Sequence, residues 1–489
     1  MKQSQRVLKN SIVGLGSEAI GAGLNLAIIM VLARYLGVSG FGNYSFIMAL
    51  AGVFQLVADF GLRNILIREI AIDRNSLDRH LGNTKSLIWV LSVIAFLLIA
   101  ATVSLINPSK EILISTYIAG LAVLTTFHAA GYGAVCRAFE DMEYNGIGYV
   151  LHKIIFLLLI GLGTKLKVDL IGIFIIFLLA NLSLWLYYYI VVRVKYVRPR
   201  LHVDFEYWKS MVKDAFPLGI AAILRKVTWN VDTLILTAMA NVTSVGLFSG
   251  AYKVIQAVNL IPTTLAQPLF PVFSRLAQKS SDSLFSSYEK SLKFLLIISL
   301  PLVVFITVFS QKIVILFLGK QYLQSSIALQ LLSWALLFLF PTSLYVYLFT
   351  AMGKQKLFAV ASAACLGMNA ILDIALIPWY SYIGACIGTL ASEITLFFVG
   401  FYFLRKLGSR FSIFRIAWKP ALGSLVMGFF LYPMTGVSTR MFLLSALGGF
   451  LIYCAVILVL RTFSREEISM ILSGFGVKRP LGKENHILE

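Results

Sequence analysis

The stretch "VSGFGNYS" (residues 38–45) joins the first and second long apolar runs of the chain, and it returns in altered form as "VTSVGLFS" (residues 242–249) between the seventh and eighth. A second pair, "RAFEDMEY" (residues 137–144) and "TAMGKQKL" (residues 350–357), sits at the turn between the fourth and fifth runs of each half. Equivalent positions in consecutive six-helix units imply parallel repeats about an axis along the membrane normal, with a central site between two lobes.

Outward from these motifs, apolar runs of spanning length cover residues 11–33, 42–66, 83–106, 112–139, 144–163 and 168–192, and then 214–239, 246–273, 288–309, 325–351, 355–377 and 382–404. Two more follow at 416–435 and 439–460. A membrane-spanning helix needs about 20 apolar residues. The pattern therefore predicts an all-α integral membrane protein of about 14 transmembrane helices, in two pseudo-symmetric six-helix lobes plus two C-terminal helices. The domains expected are a first lobe over residues 1–192, a basic cytoplasmic connector over 193–213, a second lobe over 214–404, the last two spans within 405–460 and a cytoplasmic tail over 461–489.

Composition agrees and excludes soluble classes. Of 489 residues, 59% are hydrophobic and only 13% charged, with a mean hydropathy of +0.86. No soluble core buries so large an apolar fraction, so lipid is the solvent for much of the chain. A net charge of +20 would point to nucleic acid in a soluble protein. Here it marks Lys and Arg gathered in loops facing an anionic leaflet, and no nucleic acid is expected. With the N-terminus inside, about thirty Lys and Arg fall at cytoplasmic ends and about seven at external ends, as the positive-inside rule requires. The densest cluster is the connector, with Arg193, Lys195, Arg198, Arg200, Lys209 and Lys213. An even number of spans puts both termini in the cytoplasm. Cys136, Cys365, Cys386 and Cys454 are scattered through apolar runs without metal-ligand spacing and read as free thiols.

The stretches "RYLGVSGFGNYSF" (34–46), "ADFGLRNILIREIA" (58–71), "NVDTLIL" (230–236), "VGLFSGAYKVIQ" (245–256), "LFPVFSRLA" (269–277) and "NAILDIALIPWYSYIGACIGTLASE" (369–393) resemble, in order and spacing, the polysaccharide transporter family of the multidrug/oligosaccharidyl-lipid/polysaccharide superfamily, which includes Wzx-type flippases. The resemblance covers nearly the whole chain, apart from Ser381 and Tyr382 where the family usually has a glycine. It implies a V-shaped pair of lobes that open alternately to either side of the cell membrane. The cargo it implies is a polyprenyl-phosphate- or diphosphate-linked oligosaccharide, and the partners are that lipid, the bilayer and other polysaccharide-assembly proteins.

Ionisable side chains inside a bilayer are costly, about 2.5–3.5 kcal/mol each on insertion scales, so they mark a cavity, a pair or a pathway. For an anionic headgroup the candidates are Arg225 and Lys226 in the seventh span, Lys153 in the fifth, Lys253 in the eighth and Arg34 near the external end. Each either holds phosphate oxygens or neutralises a neighbouring carboxylate. For ion coupling or gating the candidates are Glu18, Asp59, Arg63, Asp232 and Glu393. Counted inward from the helix ends, Asp232 and Lys253 lie at similar depth, which predicts an ion pair, while Glu18, Asp59 and Arg63 share the inner third. A carboxylate whose solvation changes between conformations changes its proton affinity, so coupling to H+ or Na+ is open, with no other cofactor expected. Asn230, Gln256 and Asn259 read either as sugar ligands or as helix-to-helix hydrogen bonds. Pro262 is a candidate bend in the eighth span, and "WLYYY" (185–189) reads as an interfacial belt.

Four functions compete: the lipid-linked oligosaccharide flippase, an ion-coupled multidrug antiporter, a peptidoglycan-precursor flippase and a membrane glycosyltransferase or polymerase. An antiporter for cationic drugs wants an acidic lumen, whereas the intramembrane set here leans cationic. Connections are short, and neither a zinc motif, a phosphate-cradling glycine loop nor a nucleophile elbow is present, so the expectation is a transporter and not an enzyme.

Overall fold

A computed structural model describes the backbone of residues 3–106, 108–436 and 439–463, with side chains throughout except at 3–8, 11, 12, 15, 56–59, 217–225 and 439–440. The first half holds α1 (Gln3–Asp59), α2 (Leu62–Ile72), α3 (Leu77–Ile106), α4 (Lys110–Ala138), α5 (Met142–Lys165) and α6 (Leu170–Lys195). The second holds α7 (Phe205–Thr228), α8 (Val231–Met239), α9 (Val242–Val258), α10 (Leu260–Ala266), α11 (Phe270–Lys279), α12 (Ser281–Phe317), α13 (Ser325–Thr342), α14 (Tyr345–Ala351), α15 (Gln355–Tyr380) and α16 (Tyr382–Lys406), and α17 (Ile413–Leu431) and α18 (Thr439–Val459) follow.

Among the described residues, eleven helices are long and apolar enough to cross a membrane. One of these, Gly16–Gln55, runs for 40 residues. At about 1.5 Å per residue that is twice the roughly 30 Å of a hydrocarbon core. It turns at Gly37, whose φ of 69° and ψ of −179° lie where only glycine sits without strain, and so makes two spans. Counting α1 twice and adding the broken spans α7–α8 and α9–α11 gives the fourteen expected.

The breaks follow the prolines in the eighth span but not in the seventh. The eighth span parts at Asn259, between α9 and α10, just before Pro262 in the first turn of α10, and again in the turn at Gln267–Leu269, which holds Pro268. The seventh parts at Trp229 and Asn230, which are neither proline nor glycine. Pro301 lies within α12, whose non-helical residue is Phe309. The aromatic run also departs from a plain belt. Tyr187 and Tyr188 turn inward and donate to the backbone carbonyls of Tyr144 (3.2 Å) and Asn145 (3.3 Å) on α5, and Trp185 stacks on Tyr189.

Two apolar cores set the shape. One is continuous across both halves, joining Ile28, Phe41 and Tyr44 of α1 to Leu236, Phe248 and Ile255 and on through α12, α13 and α16. The other, around Leu62, Leu81, Phe127, Tyr132 and Tyr188, belongs to the first lobe and takes in Met211 and Ala215 of α7, with Tyr207, Trp208 and Val212 packed against it. The lobes thus share a core at the end bearing Gly37, and at the other end α7 packs on the first lobe.

At the closed end the repeated motifs meet each other. A Cβ placed on Gly42 would stand 2.2 Å from the carbonyl oxygen of Val242, and one on Gly246 would stand 1.9 Å from that of Val38. The pseudo-symmetric glycines therefore let two helix starts cross in backbone contact. The connection after α12 bolts this crossing: the fully buried Tyr322 hydroxyl lies 3.1 Å from the Ala33 carbonyl and 2.9 Å from that of Gly37, and Gln321 donates to the carbonyls of Ala33 and Arg34.

At the opposite end the segment before α7 and the first turns of α7 are strapped to the first lobe. Arg79 pairs with Asp204 (3.0 Å), His202 with Asp78 (3.0 Å) and Arg68 with Asp214 (2.7 Å), and the Trp208 indole donates to the Asn83 carbonyl (3.1 Å). A Cβ on Gly82 would meet His202 at 2.3 Å, so glycine admits the strap. The Tyr207 backbone N–H and then the Arg79 guanidinium hold the Asp204 carboxyl below the usual carboxylate range.

Candidate functional site

Three lysines approach one another from different structural units. Lys153 projects from α5 and donates to Asn25 Oδ1 of α1 (2.9 Å). Lys253 projects from α9 and donates to Gln256 Oε1, one turn along the same helix (3.0 Å). Lys226, in the last turn of α7, lies against α1, with Nζ 3.9 Å from a Cβ placed on Gly52. Lys253 is within electrostatic reach of both Lys226 and Lys153. Among the described residues, no carboxylate pairs with any of the three. Like charges within reach of one another repel, so an anion entering among them would be attracted.

The other cations predicted for this group do not join it in the described residues. Arg34 instead hydrogen-bonds the Leu316 carbonyl at the closed end, beside the Tyr322 bolt. Arg225 precedes Lys226 on α7, and its side chain lies outside the described residues.

The expected Asp232–Lys253 ion pair is not formed. The break at Trp229 and Asn230 resets the helical register, so Asp232, in the first turn of α8, faces α15 and α16 instead of α9. Its Oδ1 accepts from Asn369 Nδ2 (2.8 Å) and Thr389 Oγ1 (3.0 Å). The Asp373 carboxyl lies against that of Asp232, and the two residues are 0% and 2% exposed, respectively. Both Asp373 oxygens and Asn369 Oδ1 lack a hydrogen-bond partner among the described residues. Gly388 makes room, since a Cβ there would stand 2.3 Å from Asp373 Oδ1.

Two buried carboxylates in contact cannot both be charged unless a cation, or a shared proton, joins them. The donors here are all oxygen, namely two carboxylates, an amide and a hydroxyl, which suits a hard monovalent ion. The arrangement belongs to the second lobe alone. In the register set by the repeats, Ile28 stands opposite Asp232, and Phe156 and Ile160 stand opposite Asn369 and Asp373; all three are buried in the apolar core.

The remaining candidates are dispersed. Glu18 is exposed on α1, with Tyr149 of α5 within electrostatic reach. Arg63 on α2 lies 5.9 Å from the Phe127 ring centroid of α4. The Asp59 side chain, expected beside Glu18 and Arg63, lies outside the described residues. Glu393 lies within electrostatic reach of Tyr252 and Cys365 in the second lobe.

Two features escaped the sequence reading. Asn369 and Asp373 form an i, i+4 pair on one helix face, and that spacing is the signal in the sequence that marks them as a unit. Lys85, 3% exposed on α3, was missed as an intramembrane cation: it donates to the His128 carbonyl (3.1 Å) and sits 3.8 Å over the Tyr132 ring.

The chain matches the family described as Polysaccharide biosynthesis protein over residues 7–277. It belongs to that family. It is similar to a putative O-antigen transporter of Shigella flexneri, 24% identical over 409 residues, with 78% of this chain and 93% of the relative covered. It is also similar to the capsular polysaccharide biosynthesis protein CapF of Staphylococcus aureus, 21% identical over 410 residues, with 82% and 100% covered. In three dimensions it follows the lipid II flippase MurJ in an inward closed conformation, with a TM-score of 0.76 at 19% identity over 93% of this chain and 99% of that one, a likeness of fold. The polysaccharide-transporter resemblance and the two-lobe helical fold read from sequence both stand, and the protein is a multi-pass membrane protein.

Proposed function

We propose that this protein flips a polyprenyl-(di)phosphate-linked oligosaccharide from the cytoplasmic to the external leaflet of the cell membrane by alternating access. The observation that carries the reading is the grouping of Lys153 and Lys226 within electrostatic reach of Lys253, drawn from both halves, with amide and not carboxylate partners on Lys153 and Lys253. A phosphate entering between the lobes gains charge-assisted hydrogen bonds in a low-dielectric site. Its lipid tail stays in the bilayer, and the sugar occupies the opening.

With both termini in the cytoplasm, the Gly37 end faces outward, and its closure would leave the cargo to enter from inside. Arg34 then serves the outer closure. The Asp232–Asp373 pair is the place for a coupling Na+ or H+, with Glu393 a second titrating group of that lobe and Glu18, Asp59 and Arg63 acting on the cytoplasmic side. The family and the names of the two curated relatives support a role in surface polysaccharide assembly. An antiporter for cationic drugs would want its acids facing the lumen, whereas Asp232 and Asp373 are buried within one lobe.

Purified protein in proteoliposomes, given a fluorescent polyprenyl-diphosphate disaccharide and then dithionite, tests the class. Flipping well above that of empty vesicles is expected, with no gradient-driven efflux of ethidium. Ethidium efflux without lipid flipping would contradict the proposal.

A further inference from the structure

We infer that Asn25 and Gln256 are positioning residues that hold Lys153 and Lys253 aimed, without cancelling their charge, while the site waits for its anion. The inference rests on the phosphate-binding reading and goes beyond it by giving the two amides a defined electrostatic task.

Each lysine is held by one amide oxygen, Lys153 by Asn25 at 2.9 Å and Lys253 by Gln256 at 3.0 Å. A carboxylate of the same shape could make either hydrogen bond and would hold the ammonium more strongly. It would also cancel the charge that attracts phosphate, so that an arriving anion would have to displace an ion pair. An amide gives the geometry without the cancellation. It uses one of the three ammonium protons and leaves the others for a ligand.

The two clamps are built differently but each lies within one structural unit. Asn25 and Lys153 join α1 to α5 inside the first lobe. Gln256 and Lys253 share the α9 helix, three residues apart, where side chains are neighbours on one face. Neither clamp crosses between the lobes. Rocking can therefore change the distance between Lys153 and Lys253 without disturbing either holder, and both halves of the anion site stay preformed through the cycle. Lys226, in the last turn before the break of the seventh span, has no such holder among the described residues.

The isosteric acids Asn25→Asp and Gln256→Glu separate charge from shape. Full-length protein in nanodiscs is titrated with farnesyl diphosphate at several sodium chloride concentrations, and folding is checked by melting profile. Each acid variant is expected to bind at least about tenfold more weakly than wild type, with a flatter salt dependence because one charge of the site has been cancelled. The truncations Asn25→Ala and Gln256→Ala are expected to cost only a few-fold and to keep the wild-type salt slope. Acid variants that bind like wild type, or that bind better than the truncations, would overturn the inference. Lys153→Gln and Lys253→Gln serve as the reference. If these lysine variants lose the probe while the acid variants keep it, the amide role alone falls. If they bind like wild type, the anion site itself falls.

Discussion

Gly246→Val is expected to leave the protein folded and reduce transport by about 5- to 150-fold, the range of a 1–3 kcal/mol shift between two conformations. The Val38 carbonyl oxygen stands 1.9 Å from where the new Cβ would be. An ordinary carbon–oxygen contact is about 3.3 Å, so the crossing must open by more than about 1 Å. Cores that are overpacked in this way lose about 1–3 kcal/mol, and here the loss falls only on the state in which the motifs touch. Gly42→Val should act alike through Val242, and the double variant should cost less than the product of the two, because both wedge the same crossing. The direct check is a cysteine at Ala33, which is fully buried beneath Tyr322. It should be silent to an impermeant maleimide in the wild-type background and reactive in Gly246→Val. Full transport with a silent Ala33→Cys would show that the crossing is not a gate.

The second large effect is expected at the buried carboxylates. In wild type, replacing choline by sodium at constant ionic strength should raise the melting temperature, because an ion that binds only the folded state stabilises it by RT ln(1 + [L]/Kd), about 2.7 kcal/mol at a hundredfold excess over Kd. Asp373→Asn removes one of the two acids without changing volume and should abolish that rise. Transport should fall with it, since a single carboxylate held by Asn369 and Thr389 no longer needs a cation to offset a second acid. Lithium and potassium in the same series read the selectivity of the oxygen set. A melting temperature indifferent to every alkali ion, together with unimpaired transport by Asp373→Asn, would remove the pair from the coupling mechanism.

The helix count and the two-lobe plan were legible because lipid imposes a length on every apolar run, and positive charge in the loops fixes its parity. What remained hidden depends on rotation about helix axes. Depth counted from helix ends put Asp232 and Lys253 at one level, but it could not show that the chain breaks at Trp229 and Asn230, where neither proline nor glycine stands, and turns Asp232 toward Asn369 and Thr389. Pro262 pointed to a bend in the eighth span, and the helix gives way at Asn259, in the turn where the missing proline N–H leaves the Val258 carbonyl without its helical partner. The repeated motifs announced pseudo-symmetry. That Gly42 and Gly246 pack on each other's partner strand of sequence is a matter of tertiary contact, and no local pattern encodes it. The lysines were individually visible as charges out of place, while their convergence required the fold. Lys85 escaped because it lies only three residues into the run that begins at residue 83, where a cation passes for a helix-end residue.

The most direct test of the central claim is the flipping rate of a fluorescent polyprenyl-diphosphate sugar by the Lys153→Gln/Lys226→Gln/Lys253→Gln triple variant in proteoliposomes of matched protein content. The account predicts a rate indistinguishable from empty vesicles in a variant that still melts cooperatively. A triple variant that flips the lipid at the wild-type rate would contradict it.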